Sequence, residues 1–256
     1  MSERAAVTER LEAAGCVAAG EEAAELVAAA PDATTLEAWV RRREQGEPLA
    51  WITGTLWFCG RPVRVDPGVY VPRYQTEVLA ARAAARLPAG GRAVDLCTGA
   101  GAVAAHLVAE VPGAVVVGVD LDPRATTCAG RNHVPAVVGD LGRPPLRPGA
   151  FDLVTAVAPY VPTGELRFLA GDVQRYEPRL ALDGGDDGLN LVRPVVAAAS
   201  WLLRPGGWLL VEVGGDQDTT LAPALAAAGF EPGEAWYDED GDLRGVAARK
   251  PPLRIV

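Results

Sequence analysis

Residues 95–101, Asp-Leu-Cys-Thr-Gly-Ala-Gly, join the end of a predicted strand to the start of a predicted helix. Gly99 and Gly101 allow a ligand to approach the backbone closely, and the first turn of a helix offers free N–H groups. Asp120 follows 19 residues after Gly101, at the end of the next predicted strand. A carboxylate in that place can bind both hydroxyls of a ribose. The spacing therefore predicts a ribose-containing cofactor at the carboxyl edge of a parallel sheet.

The segment that follows residue 75 alternates helical and strand patterns. Almost wholly apolar runs are typical of strands that are buried on both faces of a parallel sheet. The order of these elements predicts an α/β fold with a doubly wound sheet. The predicted strands cover Arg92–Leu96, Ala114–Asp120, Val134–Val138, Phe151–Val157 and Gly207–Val213, with a hairpin at about 234–249, and the predicted helices cover Gln75–Leu87, Gly101–Glu110, a segment that begins at Pro123, and about Leu189–Leu203.

The N-terminal part has a different pattern. Residues 1 to about 47 predict short helices, and Thr34-x-x-Glu37 has the spacing of a capping box at the start of the third. Thr55–Cys59 and Pro62–Asp66 flank Gly60-Arg61 and predict a β-hairpin. We therefore divide the chain into a small helical N-terminal domain (1–50), a β-hairpin connector (51–74) and a cofactor-binding domain (75–256).

Composition argues against several classes of partner. The chain has 256 residues and a formal net charge of -9, and a negative surface repels the phosphate backbone of nucleic acids. Apolar runs long enough to span a bilayer are missing from the sequence, and the N-terminus is charged rather than signal-like. We therefore predict a cytoplasmic protein that binds neither nucleic acid nor membrane.

Cysteine and histidine usage predicts no metal site. The four cysteines are widely spaced without a CxxC pair, and the chain has two histidines. This pattern is typical of reduced thiols in a cytoplasmic protein. The cysteines are Cys16, Cys59, Cys97 and Cys128.

Two cofactors compete for the glycine loop. Gly99-x-Gly101-x-x-Ala104 nearly matches the dinucleotide fingerprint. For S-adenosylmethionine, an acid after the third strand would bind the adenine amine, and Asp140 in Gly139-Asp140-Leu141 supplies one. Pro159-Tyr160, after the fourth predicted strand, has no evident role in a dehydrogenase. We therefore predict S-adenosylmethionine, with S-adenosylhomocysteine as its product.

Ordered blocks of the chain resemble the HemK-type protein-glutamine N5-methyltransferases, from about residue 47 to the C-terminus. Glu47–Gly54 resembles the interdomain connector of that family. Val65–Arg73, with Thr76-Glu77, resembles its Pro-Gly-x-x-x-Pro-Arg-Pro-x-Thr-Glu motif. Tyr176–Gly185, with Asp187-Gly188-Leu189, is the most distinctive block. Enzymes of this family methylate the glutamine of the Gly-Gly-Gln motif in peptide-chain release factors.

The resemblance implies a class I methyltransferase, with a Rossmann-like sheet of seven strands, and it assigns three groups of residues. The cofactor group is Asp95, Cys97, Thr98, Gly99, Ala100, Gly101, Asp120, Leu121, Asp140, Leu141 and Val157. The catalytic group is Val157, Ala158, Pro159 and Tyr160. The acceptor group is Arg73, Thr76, Glu77 and Tyr160.

The sequence departs from the family pattern at the acceptor site. Val157 stands where the family has Asn, Ala158 replaces the first Pro, and Tyr74-Gln75 replaces Pro-Glu. In the family, the Asn oxygen and the backbone carbonyl that follows it accept the two N–H bonds of the acceptor amide. Valine accepts no hydrogen bond. A buried NH2 group that loses one acceptor is destabilised by about 1–3 kcal/mol.

Three hypotheses follow from Val157. The enzyme methylates a small molecule in a less polar pocket, it methylates the release-factor glutamine with another residue in place of the Asn, or it binds the cofactor without turnover. From the sequence we favour the small-molecule acceptor. The acceptor atom and the oligomeric state are left open by the sequence.

Overall fold

The N-terminal part of the chain folds into four helices. The computed structural model describes residues 2–253, so Met1 and residues 254–256 of the predicted domains lie outside it. The helices enclose a small apolar cluster in which Leu11, Leu26 and Val40 are each 0% exposed. The helices are α1 (Glu3–Ala13), α2 (Ala19–Ala29), α3 (Ala33–Glu44) and α4 (Leu49–Thr53).

The start of α3 differs from the predicted capping box. Asp32 is the N-cap, and its side chain accepts a hydrogen bond of 2.7 Å from the backbone N–H of Thr35. Asp is as good an N-cap as Thr, so the acid that comes first in the chain begins the helix. Helix α4 crosses residue 50, where we drew the first domain boundary. The three-part division itself stays a prediction.

A two-stranded hairpin follows α4. Strands β1 (Thr55–Phe58) and β2 (Arg61–Arg64) pair antiparallel. Cys59 and Gly60, with φ of 48° and 71°, form the turn, one residue earlier than the predicted Gly60-Arg61. Two successive positive φ values match the twist of the paired strands. The indole N–H of Trp51 donates 3.0 Å to the carbonyl of Val69, which ties α4 to the segment after the hairpin.

The rest of the chain forms the predicted doubly wound sheet. Seven strands lie in the order β5-β4-β3-β6-β7-β9-β8, and β9 is antiparallel to its neighbours β7 and β8. The helices are α5 (Thr76–Arg86), α6 (Ala102–Glu110), α7 (Pro123–Arg131), α8 (Gly171–Tyr176), α9 (Val192–Leu202) and α10 (Gln217–Ala227), and the strands are β3 (Arg92–Leu96), β4 (Val115–Asp120), β5 (Ala136–Val138), β6 (Phe151–Ala156), β7 (Leu203–Val211), β8 (Glu234–Tyr237) and β9 (Leu243–Arg249).

The chain reverses its direction of travel across the sheet between β3 and β6. Strands β3, β4 and β5 proceed toward one edge, and β6 and β7 then proceed from β3 toward the other. Parallel strands that diverge in this way leave a crevice outside their carboxyl ends. The loops that follow β3, β4 and β6 therefore meet at one place.

Apolar layers cover both faces of the sheet. Neighbouring residues of β6 alternate between the layers: Leu153 packs in the layer that contains α5, α6 and α7, and Val154 in the layer that contains α9 and α10. Both side chains are 0% exposed. This burial on two faces explains why the strands are continuous apolar runs.

Some predicted boundaries were wrong. Strand β7 begins at Leu203 and not at Gly207, and β5 begins at Ala136 and not at Val134. Helices α8 and α10 had no predicted counterpart, and Pro223 inside α10 interrupts its helical pattern. Within residues 2–253, no helix has the length and apolar character needed to cross a membrane.

The central position of β6 leads to a stability prediction. Leu153→Ala should lower the free energy of unfolding by about 2–5 kcal/mol, because it leaves a cavity between the sheet and its helices. Leu253→Ala is the matched control, since Leu253 is 78% exposed and its loss should change stability by less than about 0.5 kcal/mol. Urea unfolding measures both, and equal effects of the two substitutions would contradict this packing.

Candidate active site

The loop after β3 is anchored by a buried carboxylate. Asp95 is 2% exposed, and its two oxygens accept hydrogen bonds of 2.7 Å from the hydroxyls of Thr98 and Thr155. Burial raises the pKa of Asp95 to about 6, while the two hydroxyls favour its ionised form. These bonds join the glycine loop to β6. Asp95 therefore holds the glycine loop in place against β6.

Asp120 fastens the same loop to the end of β4. Its carboxylate accepts hydrogen bonds of 2.9 Å from the backbone N–H groups of Gly99 and Asp122. Burial raises the pKa of Asp120, and these N–H bonds oppose the rise. Gly99 has φ of 54°, and a Cβ built on it would meet no atom within 4 Å. The backbone at Gly99 thus lies open to a ligand beside a carboxylate.

A cleft of about 190 Å³ lies at this crevice. Six predicted cofactor residues line it, and three others line an adjoining cavity of about 40 Å³. The cleft combines a carboxylate, an open glycine backbone and apolar walls. The carboxylate suits a ribose, the glycine backbone suits the methionine part of the cofactor, and the apolar walls suit an adenine ring. The six are Cys97, Gly99, Asp120, Leu121, Leu141 and Val157, and the three are Asp95, Thr98 and Ala100.

Two predicted cofactor residues have other surroundings. Gly101 is the N-cap of α6, with φ of 80°. Asp140 is exposed, and its side chain accepts a hydrogen bond of 2.8 Å from the backbone N–H of Gly142. The adjacent Leu141 lines the cleft. A role for Asp140 at the adenine amine stays a prediction.

A second pocket, of about 220 Å³, adjoins the cleft and contains the predicted catalytic residues; after that prediction it is named the acceptor pocket. Val157 lines the cleft, the small cavity and the acceptor pocket, so it stands where the three meet. The catalytic residues predicted from the sequence therefore lie together. The acceptor pocket is lined by Tyr70, Arg73, Gln75, Val157, Ala158, Pro159, Tyr160, Val161, Leu169, Val173, Ala181, Leu182, Glu212 and Arg244.

The floor of the acceptor pocket is polar. The hydroxyl of Tyr160 donates 2.9 Å to Oε1 of Glu212, a residue that is 3% exposed. Burial raises the pKa of both groups, and for Glu212 the nearby Thr76 and Tyr160 hydroxyls and the charges of two arginines oppose the rise. Among the described residues, Oε2 of Glu212 has no hydrogen-bond partner.

An ion pair joins two of the blocks that resemble the family. Glu177 is 6% exposed and pairs with Arg73, and it also accepts a hydrogen bond of 3.3 Å from the N–H of Val71. The guanidinium of Arg73 lies 5.0 Å from the ring centre of Tyr70. Arg73 and Tyr70 line the acceptor pocket, and Glu177 supports Arg73 from outside it.

The distinctive block at residues 183–189 holds the chain that follows β6. Gly184 donates 2.8 Å to the carbonyl of Val161. The amide of Gln217 donates 2.8 Å to the carbonyl of Tyr160 and 3.0 Å to that of Asp187. A Cβ on Gly188 would lie 2.2 Å from the Tyr160 oxygen, so only glycine allows this approach. The Pro159-Tyr160 segment is therefore held in place.

Two of the predicted acceptor residues lie outside the acceptor pocket. The carboxylate of Glu77 accepts a hydrogen bond of 2.9 Å from the N–H of Cys59 in the hairpin turn. Thr76 is buried and lines the small cavity beside Asp95. Arg73 and Tyr160 line the acceptor pocket, and their role in binding an acceptor stays a prediction.

The sequence analysis assigned no site role to four polar residues of the acceptor pocket: Tyr70, Gln75, Glu212 and Arg244. Glu212 carried a signal, because it is the single charge within the apolar run Gly207–Val213. Tyr70 lies inside a quoted block, but Arg244 carried no signal in the sequence. Within residues 2–253, no group of three His, Cys, Asp or Glu side chains is arranged to hold a metal ion.

Comparisons with known proteins identify the fold and the family of the chain. Residues 93–176 match a family model described as a methyltransferase domain. The ribosomal protein L11 methylase of Lactobacillus delbrueckii subsp. bulgaricus superposes with a TM-score of 0.52 at 18% identity, over 74% of this chain and 85% of that one. A Thermus thermophilus 16S rRNA methyltransferase, solved with AdoMet and guanosine, gives 0.52 at 20% identity, over 77% of this chain and 44% of that one. These likenesses concern the fold.

Sequence relatives are more similar. A release factor glutamine methyltransferase of Geobacter sulfurreducens is 41% identical over 82% of this chain and 76% of its own length. One of Bradyrhizobium diazoefficiens is 36% identical over 86% of this chain and 78% of its own length. The protein is thus a class I S-adenosylmethionine-dependent methyltransferase. Within that class, the chain belongs to the HemK-type family.

The hydrogen bonds of Asp120 lead to a binding prediction. Asp120→Ala should weaken S-adenosylhomocysteine binding by about 10²-fold, because it removes the carboxylate for the ribose and frees the Gly99 N–H. Calorimetric titration measures this affinity. Asp240→Ala, at an exposed position of the loop between β8 and β9, is the control and should bind as the wild type does. Equal affinities for all three proteins would overturn the cofactor site.

Proposed function

We propose that this methyltransferase acts on the side-chain amide nitrogen of a glutamine in a peptide-chain release factor. The observation that carries the proposal is the Pro159-Tyr160 segment, which Gln217 holds in place: Pro159 lines both the cleft and the acceptor pocket, and Tyr160 lines the acceptor pocket. The names of relatives at 41% and 36% identity support the same acceptor. They favour it over the small-molecule acceptor that Val157 first suggested.

Each part of the site has a proposed role. Asp120 and the Gly99 backbone bind the cofactor, and Leu121 and Leu141 form apolar walls beside it. The ring of Tyr160 packs against the plane of the acceptor amide, and the backbone carbonyls of Val157 and Ala158 are available to accept its N–H bonds. The hydrogen bond from Gln217 to the carbonyl of Tyr160, and the close packing of Gly188 against that carbonyl, hold the Pro159-Tyr160 segment in place.

The chemistry is a single displacement. Held by Asp120 and the Gly99 backbone, the cofactor would supply a methyl group on a sulfonium. Transfer to the amide would form a nitrogen–carbon bond and break the carbon–sulfur bond with its electron pair left on sulfur, and the amide nitrogen would give a proton to water. An amide nitrogen is a weak nucleophile, so the contribution of the protein is placement, where a misplaced group loses about 10²-fold in rate. The ion pair between Arg73 and Glu177 holds the part of the pocket wall that positions the acceptor amide.

A small molecule is the second candidate acceptor. Val157 and Ala158 favour it, because they remove one side-chain oxygen and one ring from the acceptor site. The polar residues Tyr70, Arg73 and Glu212 weigh against the apolar pocket that this hypothesis expected. The cytoplasmic location and the three-domain division stay proposals.

The acceptor is tested with purified protein and labelled S-adenosylmethionine. Label should enter a release factor that carries Gly-Gly-Gln, and it should not enter the same factor with Gly-Gly-Ala, since alanine offers no amide nitrogen. An extract of small molecules is incubated in parallel. Label on a metabolite and none on the factor would overturn the proposal in favour of the second candidate.

The remaining outcome is label on neither acceptor. Together with measurable affinity for S-adenosylhomocysteine, it would indicate a protein that binds the cofactor without turnover, and it would also overturn the proposal. A Gly-Gly-Gln peptide in place of the whole factor then separates failed docking of the factor from a failed acceptor pocket.

A further inference from the structure

Helix α8 contributes to the wall of the acceptor pocket. Val173 in this helix lines the pocket, and so does Leu169 shortly before it. The backbone N–H of Glu177 donates 3.1 Å to the carbonyl of Val173, and the Glu177 carboxylate pairs with Arg73, which is another lining residue. The position of α8 therefore affects both this wall and the side chain of Arg73.

The hydrophobic core does not fix the position of α8. The helix has six residues, and none of them is buried. A helix this short is unstable on its own, and helices in proteins are stabilised mostly by packing an apolar face against the core. Contacts at its surface therefore hold α8 in place, and the N-terminal helices α1–α4 supply several of them.

The first connection joins α8 to the end of α3. The carbonyl of Gln45, the C-cap of α3, accepts hydrogen bonds of 3.1 Å from the guanidinium of Arg175 and 3.0 Å from the hydroxyl of Tyr176. The last carbonyls of a helix have no partner within it, so α8 satisfies one of them. The ring of Tyr176 also packs edge-on against Trp51 of α4, with 6.4 Å between ring centres.

The second connection is a buried arginine. Arg43, in the last turn of α3, is 8% exposed. Its guanidinium donates 2.6 and 3.1 Å to the carboxylate of Glu22 in α2, and 3.5 Å to the carboxylate of Asp172 in α8. A buried charge that loses a partner is destabilising, so the guanidinium keeps these three helices in one arrangement.

We propose that the N-terminal helices position the wall of the acceptor pocket through α8, and that Arg43, Arg175 and Tyr176 are positioning residues for methyl transfer. This inference rests on the proposed function. None of the three side chains lines the cofactor cleft or the acceptor pocket, so their effect on transfer passes through α8. The N-terminal helices are then part of the unit that performs the reaction.

The reaction makes the rate sensitive to this support. An amide nitrogen is a weak nucleophile, and its transfer step depends on how accurately the pocket places it. A displacement of about 1 Å, even one that originates far from the reacting atoms, can lower the rate by about 10²-fold. Loss of the contacts between α3 and α8 frees a wall that no buried residue of α8 holds.

A competing explanation is that the N-terminal helices only capture the release factor. Capture changes the KM for the whole factor and leaves its kcat unchanged, and it leaves a short Gly-Gly-Gln peptide unaffected. A misplaced pocket wall lowers kcat, and it does so with the peptide as well as with the factor. The two explanations therefore differ in which kinetic constant changes and with which substrate.

The experiment breaks the bonds to Gln45 and leaves the buried Arg43 in place. Arg175→Met/Tyr176→Phe removes both donors and keeps the ring against Trp51. We expect kcat for the factor and for the peptide to fall about fivefold or more, while S-adenosylhomocysteine affinity, measured by calorimetry, stays within about threefold and shows that the variant is folded.

The matched control is Arg41→Met. Arg41 also lies in α3, but it is exposed and pairs with Glu37 in the same helix. This variant should keep the kcat of the wild type with both substrates. Arg43→Met gives a second measurement and should lower kcat in the same way; if it does not bind S-adenosylhomocysteine, the double variant decides alone.

A kcat within twofold of the wild type in the folded variants would overturn the inference, and a rise in KM for the factor alone would assign the N-terminal helices to capture. Equal losses in Arg41→Met would also overturn it. A wild type that labels neither the factor nor the peptide overturns the proposed function. A wild type that labels either one, with variants that match it in kcat, overturns only this inference.

Discussion

The site depends on the buried carboxylate of Asp95. Its two hydrogen bonds join Thr98, in the glycine loop after β3, to Thr155, in the neighbouring strand β6. Because β3 and β6 are the strands between which the chain reverses direction, this joint holds open the crevice that receives the cofactor. Asp120 then fastens the same loop from β4 through the Gly99 N–H. The loops of three strands are thereby held in register at one edge.

The acceptor side is built differently. Its walls come from segments far apart in the chain, and each wall is held by a side chain that reaches across. Glu177 holds the segment of Arg73, and Gln217 holds the turn of Tyr160. The family blocks therefore both line the pocket, through Tyr70, Arg73, Ala181 and Leu182, and support it from outside, through Glu177. Glu77, which binds the hairpin turn, is a further supporting residue. A divergent residue at 157 can be accommodated because the surrounding frame is intact.

Local patterns predicted the sheet well. Strand β3 was predicted over the range that it occupies, because Gly90-Gly91 before it and the glycine loop after it mark both of its ends. Boundaries that are set by tertiary pairing were harder to predict. Strand β7 begins at Leu203 because Phe151 pairs with that residue, and no local sequence signal marks this start. In α3, two competing caps lie two residues apart in the sequence, and Asp32 caps the helix.

The sequence by itself determined the class of the protein and the cofactor side of its site. Asp95, the glycine loop and Asp120 belong to consecutive elements of one βαβ unit, so their spacing along the chain fixes their spacing in space. The tertiary structure decided the acceptor side. Glu212 becomes the neighbour of Val157 through the pairing of β6 with β7, a contact between distant segments that local sequence does not encode.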